Sequence, residues 1–373
     1  MEYENLKECA KYSSLRTSRI TLDTYVSTEN MLPNKGGITT IDSIPDCKTV
    51  SKYEPTDILI SNIRPYFCKI WYATREGGCS NDVLVIKANK NIDSKFLYYV
   101  LSDNNFFNYD TVTSKGTKMP RGNKNAIMKY LVPKIELQTQ KKIASILSAY
   151  DSLIENNTKR IKLLEQMAEN LYKEWFVRFR FPGYENVKME NGMPKGWKVE
   201  RYGNISTITA GGDCPKIYSN VKTDVTNIPI FSNGTTDGGL YGYTDKARIT
   251  EPCITVSARG TIGYVSLHIE PFVPIVRLLA VVPNELLGVY YFYHSTKNNY
   301  LEGNGTSQQQ LTKPMFSKRK IVVPTKDVCD KFETFVSNIY NNIFSLQHQN
   351  SLLARQRDLL LPRLMSGKLE VKP

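Results

Sequence analysis

The sequence predicts an α+β protein in which two mixed α/β globular domains are separated by an antiparallel coiled coil of two long helices. Three observations predict it. The stretch from Leu137 to Phe179 contains neither Pro nor Gly and carries Ile143, Ile146, Leu147, Tyr150, Leu153, Ile154, Ile161, Leu164, Met167, Leu171 and Trp175 at helical spacing. A second stretch, Asp327 to Leu361, carries Val328, Phe332, Phe335, Val336, Ile339, Ile343, Leu346, Leu353 and Leu360 in the same rhythm. Laid over each other at a shift of 189 residues, the stretches match Ile143 with Phe332, Ile146 with Phe335, Ile154 with Ile343, Leu164 with Leu353, Leu171 with Leu360 and Trp175 with Leu364. A helix of some 40 residues, a rod of roughly 60 Å, is far longer than a globular helix normally is and calls for a partner.

The expected order is a first globular domain over 1–136, a first long helix over 137–180, a linker over 181–197, a second globular domain over 198–325, and a second long helix with the C-terminal tail over 326–373. In the first domain, 57–64 and 69–73 read as strands joined by a turn at Pro65, 82–87 as a further strand, and 95–101 as a short helix with an aromatic face. Gly116, Pro120 and Gly122 then mark a loop. Pro133 and Pro182 bracket the first long helix. The Gly- and Pro-rich run from Phe181 to Trp197 separates the copies. In the second domain 253–259 answers 58–64 at a shift of 195, so that Arg259 answers Arg64, and Val289–Tyr293 answers Phe96–Val100. The Gly-rich run 232–246 is read either as a hairpin with generous turns or as a DNA-contacting loop. An antiparallel helix pair would relate the copies by a pseudo-twofold axis, with a domain at each end of the rod. Asn157 and Asn350 interrupt the two apolar stripes. They either share the central layer and fix the register, as a buried Asn does in other coils, or both point to solvent.

Composition narrows the function classes. No run of 18 apolar residues and no apolar N-terminal core occurs, so neither a membrane span nor export is expected, and the expected location is cytoplasmic. Seven scattered cysteines without a CxxC pair read as reduced thiols, and three distant histidines make a His-based metal site improbable. The net charge is +13, and its distribution is uneven. Lys115, Lys118, Arg121, Lys124, Lys129 and Lys134 fall in one acid-free island between Asp110 and Glu136. Lys313, Lys318, Arg319, Lys320 and Lys326 fall in another between Glu302 and Asp327. The islands occupy equivalent places in the two copies, which favours a polyanionic ligand with two like-charged faces. Chemistry is scarce. There is no Pro-Pro for a base-holding methyltransferase loop, no GxGxxG and no GxxxxGK[ST]. Asp46 with Asp93 and Lys95 makes no credible nuclease pattern. A non-catalytic chain is expected.

Several segments resemble the specificity (S) subunits of type I restriction–modification systems, over essentially the full length. They are LEQMAENLYKEWFVRF (164–179), GMPKGW (192–197), RQRDLLLPRLMSGKLEV (355–371) and the domain ends GTKMPRGNKNAIMKYLVP and GTSQQQLTKPMFSKRKIVVP. The resemblance implies two target-recognition domains, each reading half of a bipartite double-stranded DNA site. It also implies that the helices act as a ruler and dock two methyltransferase (M) subunits, with restriction/translocase (R) subunits joining. S-adenosylmethionine, ATP and Mg would then sit on those partners, with no cofactor or metal in this chain.

The candidate DNA contacts are Lys115, Lys118, Arg121 and Lys124 in the first domain and Gln308, Gln309, Gln310 and Lys313 in the second, Gln being able to pair bidentately with adenine. Arg64 and Arg259 either join them or support strand turns. Trp175, Trp197 and Leu360 to Leu364 are read as helix-end core before partner-facing residues. Two other classes compete. A stand-alone DNA-binding regulator would bind its site without any methyltransferase. A coiled-coil protein-interaction scaffold would keep its affinity at high salt.

Overall fold

A computed structural model describes residues 2–234, 236–284, 287–298, 310–366 and 368–369, apart from the side chains of 236 and 237. The chain divides into two compact units. The first comprises 1–158 with 348–373, and the second comprises 159–347. Each long helix, Leu137–Tyr172 and Lys326–Met365, therefore contributes one part to each unit.

In the first unit an antiparallel sheet runs in the order Ala10–Tyr12, Val83–Ala88, Ile58–Ser61, Ile70–Tyr72. The alternating and continuous apolar runs of these strands bury Ile58, Ile60, Ile70, Leu84 and Ile86 against the helix Ser94–Ser102. That helix starts where Asp93 accepts a bond from the Phe96 N–H at 2.9 Å. A smaller sheet packs Val26, Met31, Tyr53, Val83 and Val85 around Leu59 on the other face. The helix segments close the core. Ile143, Ala144 and Leu147 share it with Leu361 and Leu364, so the two segments run antiparallel. Farther along, Asp151 meets Arg357 at 2.6 Å, and Asn157 meets Gln349 at 3.5 Å.

The second unit repeats this plan with the sheet Ser206–Ala210, Leu278–Pro283, Cys253–Ser257, Val265–His268 and the helix Val289–Asn298. Trp175 lies with its ring centroid 5.8 Å from that of Phe332, again an antiparallel pairing. The Gly-rich run forms a hairpin, in which Ile228–Phe231 pairs with Leu240–Thr244 across a short 3-10 turn. The linker is also structured: Met189–Glu190 pairs with Met193–Pro194, and Phe181 stacks on Trp197 at 5.4 Å inside the core.

The helices differ from expectation in three respects. Ile146, Leu153, Met167 and Phe335, placed on the apolar stripes by their spacing, are exposed. A seam between two helices is narrower than an eleven-residue stripe, and these residues lie outside it. The first helix leaves the α form at Tyr172 for a wider π turn over Lys173–Val177, which lets the consecutive Trp175 and Phe176 both face the core, and Phe179 at φ +58° ends it. The second helix continues through Pro362, which removes one helix bond, because Leu361 and Leu364 on either side are anchored in the core. Asn157 and Asn350 stand beside each other without a direct bond. Asn157 bonds Gln349, and Asn350 bonds Thr158 at 3.4 Å, so the two bonds straddle the level at which the asparagines stand. Only Asn157 is fully buried.

Candidate nucleic-acid interface

In the first unit the strands Ile58–Ser61 and Ile70–Tyr72 are joined by a turn that holds two non-glycine residues in the left-handed region, Arg64 at φ 52° and Cys68 at φ 51°. Such residues are costly and persist where neighbours fix them. Here the Arg64 N–H donates to the Pro120 carbonyl at 2.8 Å, and Phe67 and Cys68 donate back to Arg64 and Pro65. The turn leaves Tyr66 and Phe67 exposed, with the guanidinium of Arg64 6.0 Å and the ammonium of Lys69 5.8 Å from the Phe67 ring. Exposed aromatics among cations suit a polyanion that also presents flat faces.

The basic island packs beside this turn. Lys115 and Arg121 exchange backbone bonds of 2.8 and 2.9 Å, closing a small hairpin with Gly116 at φ +93° and Lys118 near its tip. Lys115, Lys118, Arg121 and Lys124 are all exposed. Arg121 is paired to Asp82 at 3.1 Å, whereas Lys115, Lys118 and Lys124 have no ion pair among the described residues. Gly122 is required by close approach. A Cβ there would lie 2.6 Å from Asp110 Oδ1 and 2.8 Å from Asn62 Oδ1. Asp110 is fully buried beneath the hairpin with neither carboxyl oxygen hydrogen-bonded among the described residues, and burial pushes its pKa up to about 7. Neither Asp110 nor Asp82 could be singled out from residue spacing, because each acts through residues distant in the chain.

The second unit builds the same frame. Gly122 N–H to Asn62 carbonyl (3.0 Å) and Asn62 N–H to Asp82 carbonyl (2.8 Å) are repeated as Leu311 to Ala258 (2.9 Å) and Ala258 to Arg277 (3.0 Å). Thus Ala258 stands where Asn62 does, Arg277 where Asp82 does, Leu311 where Gly122 does, and Gln310 where Arg121 does. The ladders give the same answer: Ser61 pairs with Val83 and Ser257 with Leu278. This corrects the match of Arg259 to Arg64 by one residue, since the left-handed counterpart of Arg64 is Gly260 at φ +77°. A bulge-free strand tolerates no such slip, because one residue exchanges its faces. Arg259 instead lends its carbonyl to Asn233 Nδ2 at 2.9 Å and to Ser257 Oγ at 3.3 Å. Lys124 and Lys313 do correspond: each opens a short helix capped by Asn123 or Thr312. Gln310 and Lys313 are exposed, and Gln308 and Gln309 lie outside the described residues. Trp175, Trp197, Leu361 and Leu364 are core, and Leu360 packs partly buried beside them.

An exposed basic hairpin anchored on a sheet in the first unit, with the same backbone anchor repeated in the second, is a frame suited to a nucleic-acid ligand. The chain belongs to the type I restriction–modification specificity family: the model for the type I restriction modification DNA specificity domain matches residues 5–166 and again 194–352. The specificity subunit of the type I restriction enzyme MjaIX of Methanocaldococcus jannaschii is 27% identical over 301 residues, covering 75% of this chain and 70% of that protein. The HindI specificity subunit of Haemophilus influenzae is 24% identical over 430 residues, covering 92% and 94%. The crystal structure of a type I restriction–modification S subunit from M. genitalium shares the fold with a TM-score of 0.57 at 14% identity, covering 97% of this chain and 95% of that one. No helix among the described residues is long and apolar enough to cross a membrane.

Proposed function

We propose that this chain is the non-catalytic recognition subunit of a cytoplasmic type I complex, in which each unit reads one half of a bipartite double-stranded DNA target. The observation that carries this reading is the frame built twice around Gly122 and Leu311, with different side chains displayed from the same backbone. The exposed lysines supply phosphate contacts and salt-dependent affinity, and the polar hairpin residues read base edges. The long helices dock two methyltransferase subunits and set the spacer. The exposed Ile146 and Leu153 in the first unit, and Leu163 and Met167 in the second, support a partner on these helices. Restriction/translocase subunits complete the complex, and S-adenosylmethionine, ATP and Mg belong to the partners.

The test is co-expression with methyltransferase subunits and genome-wide mapping of methylated adenine. The expected outcome is a bipartite motif of which one half changes when residues 198–325 are exchanged for those of another specificity subunit. Change in both halves, or methylation without a bipartite motif, would overturn the reading.

A further inference from the structure

Within the first unit's island, Arg121 differs from its neighbours. Its Nη2 is held by Asp82 Oδ1 at 3.1 Å, and its backbone is fixed on both sides by the Lys115 bonds. A bridge to Ile63 and the Gly122 bond to Asn62 tie the same residues to the sheet. The pair is exposed, so it contributes little stability. Its effect is on orientation. A guanidinium whose Nη2 is paired with a carboxylate is restricted in orientation, and the carboxylate offsets part of its field. That makes it a poor phosphate contact and a good two-pronged donor, for which the fitting acceptor in a DNA groove is the O6/N7 edge of guanine. Lys115 and Lys118, exposed and without an ion pair among the described residues, have the opposite character. The second unit displays Gln310 from the equivalent backbone position, and Gln is the side chain whose planar fork matches adenine.

We infer that Arg121 is the guanine-reading residue of the first unit, that Asp82 is its positioning residue, and that position 121 and its counterpart 310 are specificity-determining positions of the two units. The inference rests on the DNA-recognition reading above. It goes further by assigning one base to one side chain.

The test uses the full chain in complex with methyltransferase subunits and a pool of double-stranded DNA with randomised positions, selected by binding at two salt concentrations. The wild-type complex should select a bipartite motif. Arg121→Gln should lose roughly 5- to 150-fold of the preference for one guanine in one half, with the other half and the salt dependence unchanged. Asp82→Asn should lose a part of the same preference at the same base pair. A uniform loss of affinity across sequences, with the log–log salt slope shallower by about 1, would make Arg121 a phosphate contact and overturn the inference. So would a motif unchanged in both variants. A wild-type complex that selects no motif would overturn the DNA-recognition reading itself, which separates the two failures.

Discussion

The two units fasten their long-helix segments to the short helices Ser94–Ser102 and Val289–Asn298 at equivalent positions with different chemistry. In the first, the Tyr99 hydroxyl donates to the Asp151 carboxylate at 2.5 Å, and Asp151 accepts from Arg357 at 2.6 Å. In the second, the Asp93 and Gly288 anchors set a shift of 195, two more than the match of Phe96 with Val289, so His294 stands where Tyr99 does; it lies 3.1 Å from Tyr340, and Ala168 stands where Arg357 does. Tyr172 stacks on His294 at 5.7 Å, and Phe332 packs edge-on against Phe176. A second fastening repeats the contrast. The Asp93 N–H donates to Gln140 Oε1 in the first unit, whereas the Gly288 N–H donates to the Cys329 thiol in the second. One backbone geometry is thus closed once by ions and amides and once by rings and a thiol. Position, set by the helix register, is the invariant, and side-chain chemistry is free to vary, even to the point that the buried His294 Nδ1 has no hydrogen-bond partner among the described residues.

The comparison breaks most easily in the aromatic joint. Phe332→Ala should cost about 3–5 kcal/mol, and its counterpart Ile143→Ala about 2–4 kcal/mol, since both are fully buried but the phenyl leaves the larger void. Urea unfolding followed by hydrogen exchange in each unit reads both; a larger loss for Ile143→Ala would contradict an aromatic-dominated second joint.

The next effect concerns buried acids. Burial raises both Asp110 in the first unit and Glu333 in the second to about 7, but Glu333 accepts from the Tyr291 and Tyr290 N–H groups at 2.7 and 3.3 Å, whereas Asp110 has no such bonds. A carboxyl whose folded pKa lies above its unfolded value of 3.8 binds more protons in the native state, so its contribution to stability falls as pH rises from about 4 to about 7. Asp110→Asn should therefore stabilise the first unit by up to about 4 kcal/mol at pH 8 and by little at pH 4. A pH-independent change would show that the carboxyl is not the titrating group.

The smallest effect compares the two polar links. Asp151→Asn should cost about 1–2 kcal/mol, because Arg357, three-quarters buried, keeps only the more exposed Asp358 as an ion-pair partner and Tyr99 loses its charged acceptor, and the loss should shrink in high salt. Tyr340→Phe should cost about 1 kcal/mol irrespective of salt. Equal salt dependence in the two variants would remove the distinction between an ionic and an aromatic joint.

Much of this architecture was legible in the sequence because periodicity and duplication are local signals. The helices, the shift that matches Ile143 with Phe332 and Trp175 with Leu364, and the strand–turn–strand at Pro65 all follow from residue type and spacing. What was hidden depends on residues brought together from afar. The role of Asp82 becomes visible only when the hairpin folds onto the neighbouring strand. Asp110 entered only as the boundary of a basic island, and it is buried under that island. The one-residue slip at Arg259 arose because a sequence overlay counts residues, whereas the ladder counts pairs. The exposure of Ile146 and Phe335 was hidden for a related reason: spacing shows that a face exists but not how much of it a single partner helix covers.

The division of the helices also orders the birth of the molecule. Residues 159–347 form one uninterrupted run, so the second unit has all its parts once that run has left the ribosome. The first unit, although its strands are synthesised earliest, lacks Arg357, Leu361 and Leu364 until the final turns of the last helix emerge. The unit whose strands are made earlier is therefore completed later, and Ile143, Ala144 and Leu147 lack Leu361 and Leu364 as partners until residues 348–366 have emerged.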